Sequence, residues 1–165
     1  MEDLSACLAG MTLFSKLDLR KGYHQIPVAE EDVEKTAIIT PFGLYHFKRT
    51  PFGLHKAGQT FQRFMDEVLG GLPHVFVNLE DVLVASWMVE EHRRDLHAVM
   101  KRLQQHGLVL NREKCNFFAS SVDYLGYQVN AAGLSPLPAC AEAISEFPTP
   151  TTRGELQRFL GMLNY

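Results

Sequence analysis

Residues 74–86 carry two short apolar runs, Val75-Phe76-Val77 and Val82-Leu83-Val84, on either side of Asn78-Leu79-Glu80-Asp81. Runs this short and rich in β-branched and aromatic residues read as strands, and the polar break between them reads as a turn. The segment therefore predicts a hairpin with carboxylates at its tip. A further carboxylate ends another strand. Residues 12–19 alternate, with Phe14, Lys16 and Asp18 on one face and Leu13, Ser15, Leu17 and Leu19 on the other. A sheet that contains both elements can bring Asp18, Glu80 and Asp81 to one edge.

The remaining elements fit such a sheet. Residues 56–69 place Ala57, Phe61, Phe64, Met65, Val68 and Leu69 at helical spacing, with Gly70-Gly71 as a stop. Residues 90–106 put Leu96, Val99, Met100 and Leu103 on one stripe, and Gly107 follows. Residues 3–9 read as a short helix, and residues 37–47, broken by Pro41 and Gly43, read as strand, turn and strand. Residues 108–110 and 122–129 read as strands, the latter interrupted by Gly126. A Pro-bearing segment at 135–138 opens a short helix to about Phe147, and Pro148-Thr149-Pro150 makes a linker. Thr152 and Glu155 have capping-box spacing ahead of a last helix with Leu156, Phe159, Leu160 and Leu163 on its apolar face. Tyr165 falls inside that face with no cap, so the sequence is expected to be cut there. Hairpins mixed with helices point to an α+β fold with helices on one side of the sheet.

Composition narrows the class. A chain of 165 residues that is 46% hydrophobic and 21% charged can bury a real core and is not a disordered polymer. Its net charge of −3 gives no bulk attraction to nucleic acid. Cys7, Cys115 and Cys140 form no C-x-x-C pair, so zinc-ribbon and dithiol redox classes are excluded and an intracellular, reduced protein is expected. Apolar stretches are broken within a dozen residues, which predicts no membrane span. Glu2 and Asp3 after Met1 predict no secretory signal. No phosphate-cradling G-x-x-x-x-G-K occurs. His92 and His97, five apart, do not share a helix face and read as solvated. Arg93, Arg94, Lys101 and Arg102 read first as a charged outer helix face, and second as phosphate contacts.

Three carboxylates around one point repel one another unless cations neutralise them, and magnesium is the natural hard partner for oxygen ligands. Two such ions about 4 Å apart activate an attacking oxygen and stabilise a leaving one. On spacing alone, a solvated turn is the commoner reading of Glu80-Asp81.

Six segments change the balance. FSKLDLRKGYHQI at 14–26, TPFGLHKAGQTFQ at 50–62, NLEDVLVAS at 78–86, HGLVLNREKC at 106–115, DYLGYQV at 123–129 and ELQRFLGMLNY at 155–165 occur in order over nearly the whole chain. Together they resemble the palm and thumb start of reverse transcriptases from gypsy-like LTR retroelements, pol polyprotein segments that act as RNA-directed DNA polymerases. The resemblance implies a mostly antiparallel palm with helices on one face. Residues 1–130 would be the palm, with a residual fingers hairpin at about 30–50, and 131–165 the connection and thumb start. It implies two Mg2+ ions held by Asp18, Glu80 and Asp81, and a nucleotide site built from Tyr23, Phe52, Gly53 and Lys114. Tyr23 would exclude a 2′-hydroxyl, and Lys114 would help protonate pyrophosphate. Tyr124, Leu125, Gly126 and Tyr127 would form the primer grip, and Gly161 and Tyr165 would track the minor groove. The implied partners are an RNA or DNA template-primer and a deoxynucleoside triphosphate, with the oligomeric state left open.

The sequence departs from the family pattern in three respects. Glu80 stands where the family has aspartate, and its extra methylene moves the carboxylate by about 1 Å against a working tolerance of roughly 0.5 Å. Asn78 replaces the hairpin tyrosine. The fingers motifs that normally precede this region, and the RNase H and integrase regions that normally follow, are absent from the chain. Loss of most activity is expected, and the alternative is a catalytically inactive remnant or a nucleic-acid- or protein-binding module.

Overall fold

The computed structural model describes residues 2–163. Helix α1 (Glu2–Leu8) leads into β1 (Leu13–Asp18), a central strand of the main sheet. A four-stranded antiparallel sheet runs in the order β4 (Val75–Asn78), β5 (Asp81–Ser86), β1, β6 (Asn116–Ala119). Between β1 and β4 lie the small hairpin β2 (Ile38–Thr40) and β3 (Gly43–Tyr45) and helix α2 (Ala57–Leu69). Helix α3 (Val89–Gln105) follows β5.

Helices cover one face of the sheet because their apolar spacing matches it. Phe61, Met65, Val68 and Leu69 of α2, and Leu96, Val99 and Leu103 of α3, recur at three- and four-residue steps. They close on Leu17, Leu19, Val82 and Val84 in one buried cluster. Gly107 ends α3 in the left-handed region (φ 68°), which a side chain rarely adopts. The N–H of Leu108 then reaches the carbonyl of Leu103 at 2.9 Å, and that of Gly107 reaches Gln104 at 3.0 Å. Arg102 closes the end of α2, its guanidinium donating to the carbonyls of Val68 and Gly70 at 3.0 and 3.3 Å.

The opposite face is partly covered by a second antiparallel sheet, β7 (Ser121–Tyr124), β8 (Tyr127–Asn130) and β9 (Gly133–Pro136). Val122, Tyr124 and Val129 pack there on Phe14, Leu83 and Ala85, with Leu8 and Met11. Helices α4 (Pro138–Ser145) and α5 (Arg153–Leu163) end the described chain. The capping box forms: the N–H of Glu155 donates to Thr152 Oγ1, and that of Thr152 to the Glu155 carboxylate, both at 3.2 Å.

Four local expectations are corrected. Residues 108–110 form no strand; Leu110 makes one isolated bridge to Leu19. The strand beside β1 is β6 instead. Residues 122–129 are a hairpin, turned by Leu125 and Gly126 at φ 51° and 81°, the doubly positive pair that a tight antiparallel turn requires. Residues 133–136 form β9 ahead of α4. His92, expected in solvent, is fully buried. Its imidazole lies 2.7 Å from Ser15 Oγ and 3.0 Å from Ser86 Oγ, so its polar atoms are satisfied inside the protein.

Candidate active site

Antiparallel pairing of β1 with β5 sets Asp18 directly opposite Asp81. Paired residues share a sheet face. The same register sets Lys16 opposite Leu83 and Phe14 opposite Ala85, so Phe14, Lys16, Asp18 and Asp81 all lie on the face away from α2 and α3. Two lysines attend the acids. Lys16 Nζ stands 3.6 Å from Asp81 Oδ1, and Lys114 Nζ stands 3.8 Å from Asp18 Oδ2. The Asp18 side chain is 16% exposed and that of Asp81 33%. The backbone at the end of β1 is held by Asn111, whose N–H donates to the Asp18 carbonyl at 2.8 Å.

Glu80 occupies the two-residue turn between β4 and β5, behind Leu79 at φ 52°. Its side chain lies over Gly22: a Cβ placed on that glycine would meet Glu80 Cγ at 2.8 Å and Phe61 Cζ at 2.8 Å. Among the described residues, no three or more His, Cys, Asp or Glu side chains converge as a metal-holding group. As chemistry, the donor set fits a hard divalent cation, because Asp18 and Asp81 are carboxylates side by side on one face. Glu80 adjoins the pair in sequence while its side chain packs on Gly22.

The proposed nucleotide-site residues fall into two groups. Tyr23 touches Phe52, with ring centroids 5.7 Å apart, and Phe61 at 4.9 Å. Phe52 is 69% exposed, and Gly53 beside it turns the chain at φ 89°. Lys114 is with Asp18, as described. On the far side of the acids, Tyr124 is buried, its hydroxyl donating to the Phe76 carbonyl at 3.4 Å. Burial, and then the charge of Asp81, push the Tyr124 phenol well above its ordinary value. Leu125, Gly126 and Tyr127 line a cavity of about 590 Å3 together with Cys140 of α4 and Gly161 of α5. Tyr165 lies outside the described residues.

Sequence reasoning passed over two positioning side chains. The Gln62 amide holds the carboxylate turn, accepting from the Leu79 N–H at 2.7 Å and donating to the Val77 carbonyl at 3.2 Å. The Gln25 amide pairs with both backbone groups of Val109, at 2.9 and 2.7 Å, and donates to the Arg20 carbonyl. No local pattern marks either residue. Lys16 was legible as sharing the Asp18 face, but its approach to Asp81 depends on the β1–β5 register.

An antiparallel sheet backed by two helices, with carboxylates on a central strand end and the adjoining hairpin, matches the palm architecture that the sequence motifs lead one to expect. The family model described as "Reverse transcriptase (RNA-dependent DNA polymerase)" matches residues 2–129, and the chain belongs to that family. It is 41% identical over 170 residues to the retrovirus-related Pol polyprotein from transposon opus of Drosophila melanogaster, covering 99% of this chain and 17% of the relative. Identity to the Pol polyprotein from transposon 297 of the same fly is 36%, covering 100% and 16%. Identity to the transposon Tf2-3 polyprotein of Schizosaccharomyces pombe is 34%, covering 100% and 12%. The chain thus spans less than a fifth of these relatives. In fold it is similar to the foamy viral protease-reverse transcriptase solved with double-stranded DNA (TM-score 0.87, 23% identity, 99% of this chain and 29% of that one). The same viral enzyme solved with an RNA/DNA hybrid gives a TM-score of 0.79 at 24% identity, over 96% of this chain and 22% of that one. The resemblance to retroelement reverse transcriptases and the α+β palm are both borne out. Among the described residues, no helix is long and apolar enough to cross a membrane.

Proposed function

We propose that this chain is the catalytic palm of an RNA-directed DNA polymerase, which extends a primer 3′-hydroxyl with deoxynucleotides on an RNA or DNA template. The observation that carries the reading is the register pair Asp18–Asp81, two carboxylates side by side on the sheet face away from α2 and α3. Asp18, Asp81 and Glu80 would hold magnesium, which supplies the charge that activates the 3′-hydroxyl and stabilises the leaving pyrophosphate. The protein's own part is to place the reactants. Tyr23, Phe52 and Gly53 would bound the incoming sugar, and Lys114 would hold a proton near the leaving group. The hairpin turn at Leu125-Gly126, flanked by Tyr124 and Tyr127, would seat the primer, with Gly161 along the duplex. Residues 1–130 would form this palm, with the fingers hairpin at about 30–50, and 131–165 the connection to the thumb. Three unpaired cysteines suit an intracellular setting.

A second reading, duplex binding without catalysis, rests on one observation: the Glu80 side chain packs over Gly22. A magnesium-dependent primer-extension assay on a primed RNA template separates the two, comparing the natural chain, Glu80→Asp and Asp18→Ala. Extension by the natural chain that Asp18→Ala abolishes establishes catalysis. Extension only after Glu80→Asp assigns the defect to the extra methylene. No extension by any of them, with the template-primer still bound, favours the binding module.

A further inference from the structure

We propose that Lys16 is a built-in counter-cation of the acid pair, which divalent metal has to displace, so that this palm takes up metal readily only together with a polyanion. The inference rests on the reading of Asp18 and Asp81 as metal ligands. Lys16 is no peripheral lysine. It sits in the middle of the sheet, between Leu83 of β5 and Asn116 of β6 in register, two residues before Asp18 on the same face. Its side chain is 28% exposed, and its ammonium comes within 3.6 Å of Asp81. With Lys114 at Asp18, each aspartate of the pair carries one ammonium.

Two consequences follow from charge. A metal ion entering at Asp81 breaks the Lys16 contact and then meets a positive group a few ångströms away, so Lys16 lowers metal affinity in the free protein. Phosphates arriving on the same face add the negative charge that offsets the ion and offer the freed ammonium a new partner. Metal and nucleic acid then bind cooperatively, and by reciprocity each raises the affinity of the other. Lys114 alone cannot do this, because its side chain is 68% exposed and its charge is better screened.

The test is binding, not turnover. Mn2+ affinity is measured by electron paramagnetic resonance on the natural chain, Lys16→Met, Lys16→Arg and Asp81→Asn, with and without a primed duplex. Lys16→Met, which keeps the stem and loses the charge, is expected to bind Mn2+ about tenfold more tightly without duplex and to lose most of the gain that duplex confers. Lys16→Arg is expected to behave as the natural chain, which separates charge from packing. Equal or weaker Mn2+ binding in Lys16→Met, while Asp81→Asn loses the ion, overturns the role of Lys16 and leaves the metal site standing. Mn2+ binding that Asp81→Asn does not alter overturns both.

Discussion

Gln62 holds Leu79 in a backbone conformation that leucine rarely adopts. The Leu79 N–H meets Gln62 Oε1 at 2.7 Å while the residue sits at φ 52°. Helix α2 thereby fixes the turn that carries Glu80 and leads into Asp81, and the Gln62 amide is itself held by the Asp66 carboxylate at 2.8 Å. Gln62→Leu keeps the size of the side chain but leaves the Leu79 N–H without its partner. The expected cost is about 1–2 kcal/mol of unfolding free energy, read as a lower urea midpoint at unchanged slope. An unchanged midpoint would mean that the turn holds itself.

Glu80 has an equally specific neighbour in Gly22. An alanine there would put its methyl carbon 2.8 Å from both Glu80 Cγ and Phe61 Cζ. The Glu80 side chain is flexible and can swing away, whereas Phe61 is 1% exposed and enclosed by the core. Gly22→Ala is therefore expected to destabilise by about 1–3 kcal/mol through overpacking. Adding Glu80→Ala should recover only the smaller part. Thermal unfolding of the two single variants and the double variant measures this as a coupling between sites. Strict additivity would show that Glu80 does not rest on Gly22.

The parts of the fold written in one run of sequence were legible. The α2 and α3 stripes, the carboxylate hairpin and the alternation through β1 depend on local spacing alone. Strand β6 was not legible, because Asn116-Phe117-Phe118-Ala119 does not alternate and its pairing with β1 shifts register between Phe14 and Lys16. The acids show the same division. That Asp18 ends a strand and Asp81 lies at a hairpin tip could be read from the sequence, and a sheet could bring them to one edge, but the direct pairing of Asp18 with Asp81 comes from the β1–β5 register. The placement of Glu80 over Gly22 could not be read, since it depends on the left-handed turn at Leu79 and on a glycine far away in the chain. His92 reads as solvated because it is a histidine at the start of a charged helix. Its spacing from Leu96, Val99 and Leu103 continues the buried stripe of α3, but the partner that satisfies its second ring nitrogen, Ser15, lies 77 residues away.

That buried histidine gives the fold a pH dependence. His92 bridges Ser15 of β1 and Ser86 of β5, and the Phe118 ring stands edge-on at 5.0 Å. Burial pushes its pKa below the ordinary histidine value, and the charge of Asp95 on the same helix opposes this only in part. The Asp95 carboxylate also accepts from Ser86 Oγ at 2.9 Å and stands 3.8 Å from His74 Nδ1. With the folded pKa below the unfolded one, the unfolded chain binds the proton first as pH falls. Stability from this group is full above about pH 6.5 and is lost as pH drops through the window down to the folded pKa. Denaturant midpoints measured from pH 8 to pH 5 should therefore fall in the natural chain and fall less in His92→Gln. Parallel profiles would place the acid sensitivity elsewhere.

Tyr23 offers a test of the nucleotide site that is also a test of packing. Its ring contacts Phe61, which is buried, and Phe52, which is largely exposed, so it joins the core to the proposed sugar pocket. Removing the ring in Tyr23→Ala should cost about 1–3 kcal/mol of stability, less than a full core truncation because Tyr23 is only half-buried. Tyr23→Phe keeps both ring contacts and should leave stability within about 0.5 kcal/mol. If the ring also blocks a 2′-hydroxyl, the two variants must part in specificity as they do in stability. Ribonucleotide use relative to deoxynucleotide should rise at least about tenfold in Tyr23→Ala, a difference of about 1.4 kcal/mol, and stay unchanged in Tyr23→Phe. Primer extension with each nucleotide type, in the natural chain and in the Glu80→Asp background, measures the ratio. A ratio unmoved by Tyr23→Ala, with extension retained, would leave Tyr23 as the packing residue that joins Phe61 to Phe52 and remove it from the nucleotide site.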